Sequence, residues 1–481
     1  MLLAAVAATF GGKEVEFHEC RVSAYPFNRV WPGYQRSFEQ TKPAYFMSFD
    51  VEKGAEFALR LGGDVKATRV RPFRRDQGDF KDGIFRTRIE KPEQFVVEAG
   101  GVEYHVFADP LWKYSPREGD RYFGPGVHEV GPIVPKNGER IVLDRGAYVY
   151  GNLLLLGVTN VVVEGRGVID TSKIKRVDHQ YPGSKIVYAY DTEATQWSGI
   201  DWGTTPVYGR ESKGFVLSGV TFVDAPRWTM NIDSCEDFLI DNVKLVGMWR
   251  YNADGIDLCD CRRAVVRNSF VRSFDDCFIV RPPTFRDTGT ECRELVFSNC
   301  VAWCDWGVNL KIQHAQLPSA IHHIRFSDID CVNVDALATL VTTRYGSNGC
   351  EIRDIVFENI RADAPEEQTS QQFQRKDEQK YDGQVKDWIA LGSIGAYALG
   401  KPTPNQGKPI PLPKDFFKIY YHDITYRNFS VYDRPGHLLD ETSKIKPSFG
   451  INESVGVPNY SLRAITLENV PGIKDGVRSG K

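Results

Sequence analysis

Along most of this chain apolar residues alternate with polar ones over short stretches, and each stretch ends in Asn, Asp or Gly. The pattern returns as VVVEGRGVID, FVLSGVTFVD, FLIDNVKLVG, VVRNSFVRSF, LVFSNCVAWC, IRFSDIDCVN and IVFENIRAD, then as ITYRNFSVYD and ITLENVPGI. Alternation with a period of two marks a strand with one buried face. Counted from the turn residue, Gly219, Asn242, Asn268, Asn299, Asp328 and Asn359 follow at steps of 23, 26, 31, 29 and 31 residues. A repeat this short cannot enclose its own apolar face, so successive copies must stack. The spacing predicts an all-β chain whose main body is a right-handed parallel β-helix, a solenoid with one repeat per coil. Asn or Asp suits a turn whose backbone enters the left-handed region. Asn-Gly hairpin signals are scarce over 214–360, which disfavours a sandwich or propeller there.

The first 125 residues read differently. Stretches such as EFALRLGG, KATRVRPF and GIFRTRIEKPEQFVVEAGGVEYHVFAD carry longer alternating strands joined by charged turns, without the coil spacing. They predict an N-terminal antiparallel β-sandwich over 1–125, with the β-helix over 126–481. The segment 362–413 breaks the repeat, first with EEQTSQQFQRKDEQK and then with the Pro-rich KPTPNQGKPIPLP. An insertion of that length is a functional loop or a disordered one.

Composition narrows the function. Sixty Lys and Arg against 63 Asp and Glu leave a formal net charge of -3, which argues against a nucleic-acid binder or a polybasic membrane module. No apolar run approaches about 18 residues, so no membrane span is expected. The opening MLLAAVAATFGG resembles the tail of a secretory signal but lacks a basic start; a first strand reads equally well. A secreted or periplasmic setting is the expectation. The ten cysteines fall mostly at strand positions and read as small buried hydrophobes rather than disulfides or metal ligands; Cys259 and Cys261 alternate and are expected on one face.

The candidate chemistry lies in NADGIDLCDCRRAVVRNSFVRSFDDCF, residues 252–278. Asp254 occupies a polar turn, and Asp275 and Asp276 follow 21 and 22 residues later, one coil on. Parallel strands stack about 4.8 Å apart, so all three carboxylates should meet on one outer face. They cannot all ionise cheaply, and at least one pKa must rise. A protonated acid beside ionised carboxylates is what glycoside hydrolysis requires: one group protonates the leaving oxygen while another activates water.

With APRWTMNIDSCEDFLIDNVKL, NADGIDLCDC and SFDDCF, residues 130–345 resemble the polygalacturonases of glycoside hydrolase family 28, whose motifs are Asn-Thr-Asp-Gly, Asp-Asp, Gly-His-Gly and Arg-Ile-Lys. The dextranases and isopullulanases of family 49 are similar in the three acids, in a β-sandwich before the helix, and in the lead-in DRGAYVYGNLLLL. The resemblance implies an inverting glycoside hydrolase with no cofactor or metal, in which Asp275 is the general acid and Asp254 and Asp276 position and deprotonate the water. Asn252 and Gly255 would shape the turn that carries Asp254.

The last two motifs are not kept. CDWGVNLKI places Asp305, Trp306 and Gly307 where Gly-His-Gly is expected, and ALATLVTT places Thr339 and Val341 where basic residues would bind a sugar carboxylate. The expected substrate is therefore a polysaccharide or oligosaccharide other than plain polygalacturonan. Asp305, Trp306 (as a stacking ring), Lys311 and Arg344 join Asn252 as candidate substrate contacts. His322-His323 lacks a third metal ligand at a recognised spacing. Two readings remain open beside hydrolysis: a polysaccharide lyase or epimerase, and a non-catalytic carbohydrate-binding β-helix. Oligomeric state is not legible.

Overall fold

The computed structural model describes residues 7–24, 38, 41–62, 65–174, 179–180, 187–188, 202–250, 252–283, 291–315, 320–333, 336–343, 348–364, 388–397, 418–434, 436–439, 446–455 and 460–480. Strands fill both parts of the chain. Between Arg121 and Gly480 lies one 28-stranded sheet whose strands pair in parallel with the strand one coil further on, apart from the last, Gly476–Gly480, which runs antiparallel to Tyr460–Glu468; His179–Gln180 and Val187–Tyr188 form a separate pair. Three parallel faces result, the parallel β-helix that the spacing predicted, right-handed as such crossovers are.

The register repeats the sequence count. Val216 pairs with Leu239, Leu239 with Val265, Val265 with Val296, Val296 with Arg325 and Arg325 with Val356, offsets of 23, 26, 31, 29 and 31. Gly219, Asn242, Asn268, Asn299, Asp328 and Asn359 all have positive φ, between 51° and 78°. Their side chains tie the coils at the turn: Asn299 Nδ2 donates to Asn268 Oδ1 at 2.8 Å, and Asn359 Nδ2 to Asp328 Oδ1 at 3.2 Å. Inside, Phe297, Phe326, Phe357 and Tyr426 stack one coil upon the next at centroid distances of 4.6, 4.9 and 4.9 Å.

Residues 7–110 form two five-stranded sheets around an apolar core that includes Met47, Phe57, Phe85 and Phe95. They are antiparallel apart from one pair, Thr41–Val51 beside Val102–Pro110, which runs parallel. This unit packs on one face of the helix, where Phe46, Val96 and Phe107 meet Val246, Phe270, Trp303 and Val332. Polar groups cross the same interface fully buried: Lys244 Nζ lies 2.5 Å from Asp109 Oδ1, and Arg272 pairs with Glu103.

Of the 362–413 segment, Trp388–Tyr397 is a strand of the helix, pairing with Ala336–Thr343 and with Lys446–Val455; 365–387 and 398–417 lie outside the described residues. Nine cysteines are described, all of them free and buried. Cys259 and Cys261 do not share a face: Asp260, at φ 52°, turns the chain, so Cys261 joins the helix core while Cys259 packs outside against Tyr208 and Trp228.

Candidate active site

The acids sit where the chain leaves one helix face for the next. Lys244–Val246, Phe270–Ser273 and Val301–Cys304 are stacked strands of one face; Ile256–Cys259, Phe278–Arg281 and Val308–Ala315 are stacked strands of the next. The turns between them carry Asp254, Asp275 with Asp276, and Gly307. Ile256 is opposite Phe278, so the register equivalent of Asp254 is Asp276, with Asp275 one residue earlier. Asp254 and Asp275 thus stand at related turns of neighbouring coils, as the spacing predicts, and the three acids interact.

Hydrogen bonds hold these turns tightly. Gly255 N donates to Asp276 O at 2.7 Å, Asp275 N to Ala253 O at 3.2 Å, and Thr229 Oγ1 to Asp254 O at 2.7 Å. Two glycines are needed for the close approach. A Cβ on Gly255 would lie 2.3 Å from Cys277 O, and one on Gly307 would lie 2.5 Å from both Asp275 Oδ1 and Asp276 N.

Asp254, Asp275 and Asp276 are 3, 7 and 4% exposed, and Asp257, on the strand after Asp254, is 0% exposed. Among the described residues, two cations serve these four carboxyls. Arg281 Nη2 lies 2.9 Å from Asp257 Oδ1 and 3.6 Å from Asp254 Oδ2. Lys311 Nζ lies 2.6 Å from Asp276 Oδ2, whose other oxygen accepts Val308 N–H at 2.8 Å. Among the described residues, the hydrogen bonds to Asp275 come from neutral donors: Asp276 N on Oδ1 at 3.0 Å and Asn252 Nδ2 on Oδ2 at 3.4 Å. Among the described residues, Asp254 Oδ1, Asp257 Oδ2 and Asn252 Oδ1 accept no hydrogen bond.

The electrostatics follow. Burial, then repulsion from Asp276, pushes the Asp275 carboxyl up to about 7. Burial pushes Asp257 up to about 8 even though Arg281 opposes it. Asp254 is raised well above the ordinary carboxyl value by burial and by Asp275, Asp257 and Asp276 together. Burial works against the charges of Lys311 and Arg281, but the acids around them outweigh it and hold both cationic. The cluster stores protons near neutrality.

Not every candidate contact reaches this site. Trp306 was expected to stack on a sugar, but it is 4% exposed, belongs to the helix core and lies parallel to Phe274 with ring centroids 6.0 Å apart. Asp305, 1% exposed, points the other way, its Oδ1 3.5 Å from Arg272 Nη2. Lys311 is present but occupied by Asp276. Thr339 is its register partner on Ala336–Thr343, and Val341 lies on the same strand. Arg344 lies outside the described residues. Asp257 and Arg281, which the motifs did not single out, complete the acid cluster. His322, away from the site, lies 2.5 Å from Glu291 and 2.6 Å from His323. No helix among the described residues is long and apolar enough to cross a membrane.

This is a parallel β-helix with a buried acid cluster at one face-to-face turn. Residues 152–294, which hold Asn252 and all four acids, match the family model described as Glycosyl hydrolases family 28. A dextranase of Arthrobacter sp. (strain CB-8) is 26% identical over 208 residues, 40% of this chain and 31% of that protein; the chain thus spans about a third of that relative. Dex49A from Penicillium minioluteum superposes with a TM-score of 0.51 at 14% identity, covering 95% of this chain and 93% of that one, which shows a shared fold. The resemblance to families 28 and 49 holds.

Proposed function

We propose that this chain hydrolyses glycosidic bonds of a polysaccharide or oligosaccharide by an inverting mechanism. The observation that carries the reading is the contrast between two adjacent carboxyls. Asp275 keeps its proton to about 7 with neutral donors around it, whereas Asp276 takes a cation on one oxygen and an amide on the other. Asp275 gives its proton to the glycosidic oxygen as the bond to the anomeric carbon breaks. Water attacks that carbon from the opposite face, and its proton goes to Asp276, with Asp254 helping to hold the water. General acid–base transfer of this kind contributes about 10²–10⁴-fold.

We further propose a neutral glycan as substrate. A sugar carboxylate bound here would need a fixed cation, since a buried charge without a partner is costly. The two cations that lie beside the acids among the described residues, Arg281 and Lys311, are already engaged by the chain's own carboxylates. The matched relative is named as a dextranase, so dextran heads the test panel. A polymeric substrate, which does not cross a cell membrane, would fit a secreted or periplasmic setting.

The purified chain should release new reducing ends from dextran or another neutral glycan in a panel that also holds polygalacturonic acid. Products with a ring double bond would mean a lyase. Strong, salt-sensitive cleavage of polygalacturonic acid would overturn the substrate reading.

A further inference from the structure

We infer that Lys311 is a positioning residue for the hydrolysis: its ammonium fixes Asp276 as the carboxylate that takes the proton of the attacking water. This rests on the hydrolase reading above. Lys311 stands on Val308–Ala315, in register with Ile279 one coil before it, and its side chain reaches back to the preceding turn. The same strand supplies Val308 N–H to Asp276 Oδ1, so one strand grips both oxygens of that carboxylate. A carboxylate held at both oxygens keeps one orientation, as a water-activating group requires.

The division of charge makes Lys311 specific to Asp276. Around Asp276 stand Asp275 on its own turn, Asp254 and Asp257 from the preceding coil, Arg281 from the following strand, and Lys311 from the next coil. Arg281 is spent on Asp257 and Asp254. Asp275 has no cation within hydrogen-bond reach among the described residues, as suits a group that must stay protonated. Lys311 Nζ touches Asp276 Oδ2 at 2.6 Å and reaches Asp275 only through space. The Lys311 side chain is 17% exposed against 5% for Asp276.

The test compares Lys311→Met and Lys311→Arg with the unmodified protein in kcat/KM from pH 4 to 9, on whichever glycan the unmodified protein cleaves. The variant without the charge should lose activity most on the acid side. The limb of the kcat/KM profile that falls on acidification should move to higher pH when the charge at Lys311 is removed. Lys311→Arg should return the limb most of the way. A loss of rate without movement of that limb, partial or complete, would overturn the inference. Should Lys311→Met not fold, Lys311→Gln keeps a donor of similar reach without the charge and takes its place. If neither folds while Lys311→Arg does, Lys311 is a structural strut and the inference fails. An unmodified protein that cleaves no glycan would sink the hydrolase reading instead, before any variant is made.

Discussion

Replacing Asp275 by Asn should abolish catalysis and at the same time stabilise the fold, and the stabilisation should grow with pH. In the unfolded chain an Asp ionises near 3.9; in the folded protein burial and Asp276 push Asp275 up to about 7. Between those values the folded state binds more protons than the unfolded one, so stability falls as pH rises. The stability is fully present below about pH 4 and is lost as pH passes about 7. The gap is about 3 units, and at 1.36 kcal/mol per unit the ionised group costs about 4 kcal/mol.

Asn carries no such cost, and the surroundings accept it. Its carbonyl oxygen can take Asp276 N–H, which Asp275 Oδ1 now accepts at 3.0 Å. Its amide can face Asn252, whose Oδ1 accepts no hydrogen bond among the described residues, after that side chain flips. The gain should be about 1 kcal/mol or less at pH 4.5 and about 1–4 kcal/mol at pH 8.5, discounted for adjustment by Asp254 and Asp276. Urea unfolding of both proteins at the two pH values measures it, with equal m-values confirming that the difference lies in stability. Activity should fall by about 10²–10⁴-fold. An Asp275→Asn protein no more stable at pH 8.5 than at pH 4.5, relative to the unmodified one, would show that Asp275 is not a forced proton carrier.

Three further outcomes are expected. Proton NMR of the first sugar released should show an inverted anomer; a retained one would remove Asp254 and Asp276 from the water-activating role. Arg272→Met should destabilise by about 1–3 kcal/mol in a denaturant titration, because it removes one of the two cations that pair with the buried Glu103 and leaves Lys42 alone there; a change under 0.5 kcal/mol would mean the interface does not depend on that pair. Trp306→Ala should cost about 3–5 kcal/mol as a core truncation while leaving the KM of the folded fraction near that of the unmodified protein; a selective rise in KM with unchanged stability would restore it as a sugar contact.

The fold was legible because a solenoid writes its geometry into the spacing of its turns. Each residue chosen as a turn marker, from Gly219 to Asn359, takes up a positive φ, and the intervals between them are the strand register itself. Coil-to-coil contact is local in sequence, so counting captures it. Facing is harder to read where alternation stops, as between Cys259 and Cys261, since a single left-handed residue resets which side is inward. The same limit misplaced Trp306. The turn that holds Trp306 lies one coil on from Asp275 and Asp276, and the ring folds inward onto Phe274.

Asp257 and Arg281 were missed for a different reason: motifs mark the turns, and these two lie on the strands that follow. Their signal is nevertheless in the alternation. In IDLC and FIVR, Ile256, Leu258, Phe278 and Val280 face the core, which leaves Asp257, Cys259, Ile279 and Arg281 outward. Outward charge next to an acidic turn, on two consecutive coils, is an unusual use of a strand. Asp257 falls two register steps from Lys311, by way of Ile279, and both point over the turn that holds Asp275 and Asp276. A cluster of three acids alone would be expelled toward solvent or protonated throughout. Two outward strand cations, Arg281 beside Asp257 and Asp254 and Lys311 beside Asp276, allow the fold to bury four carboxyls together, and that arrangement is built from the register of the coil rather than from any one motif.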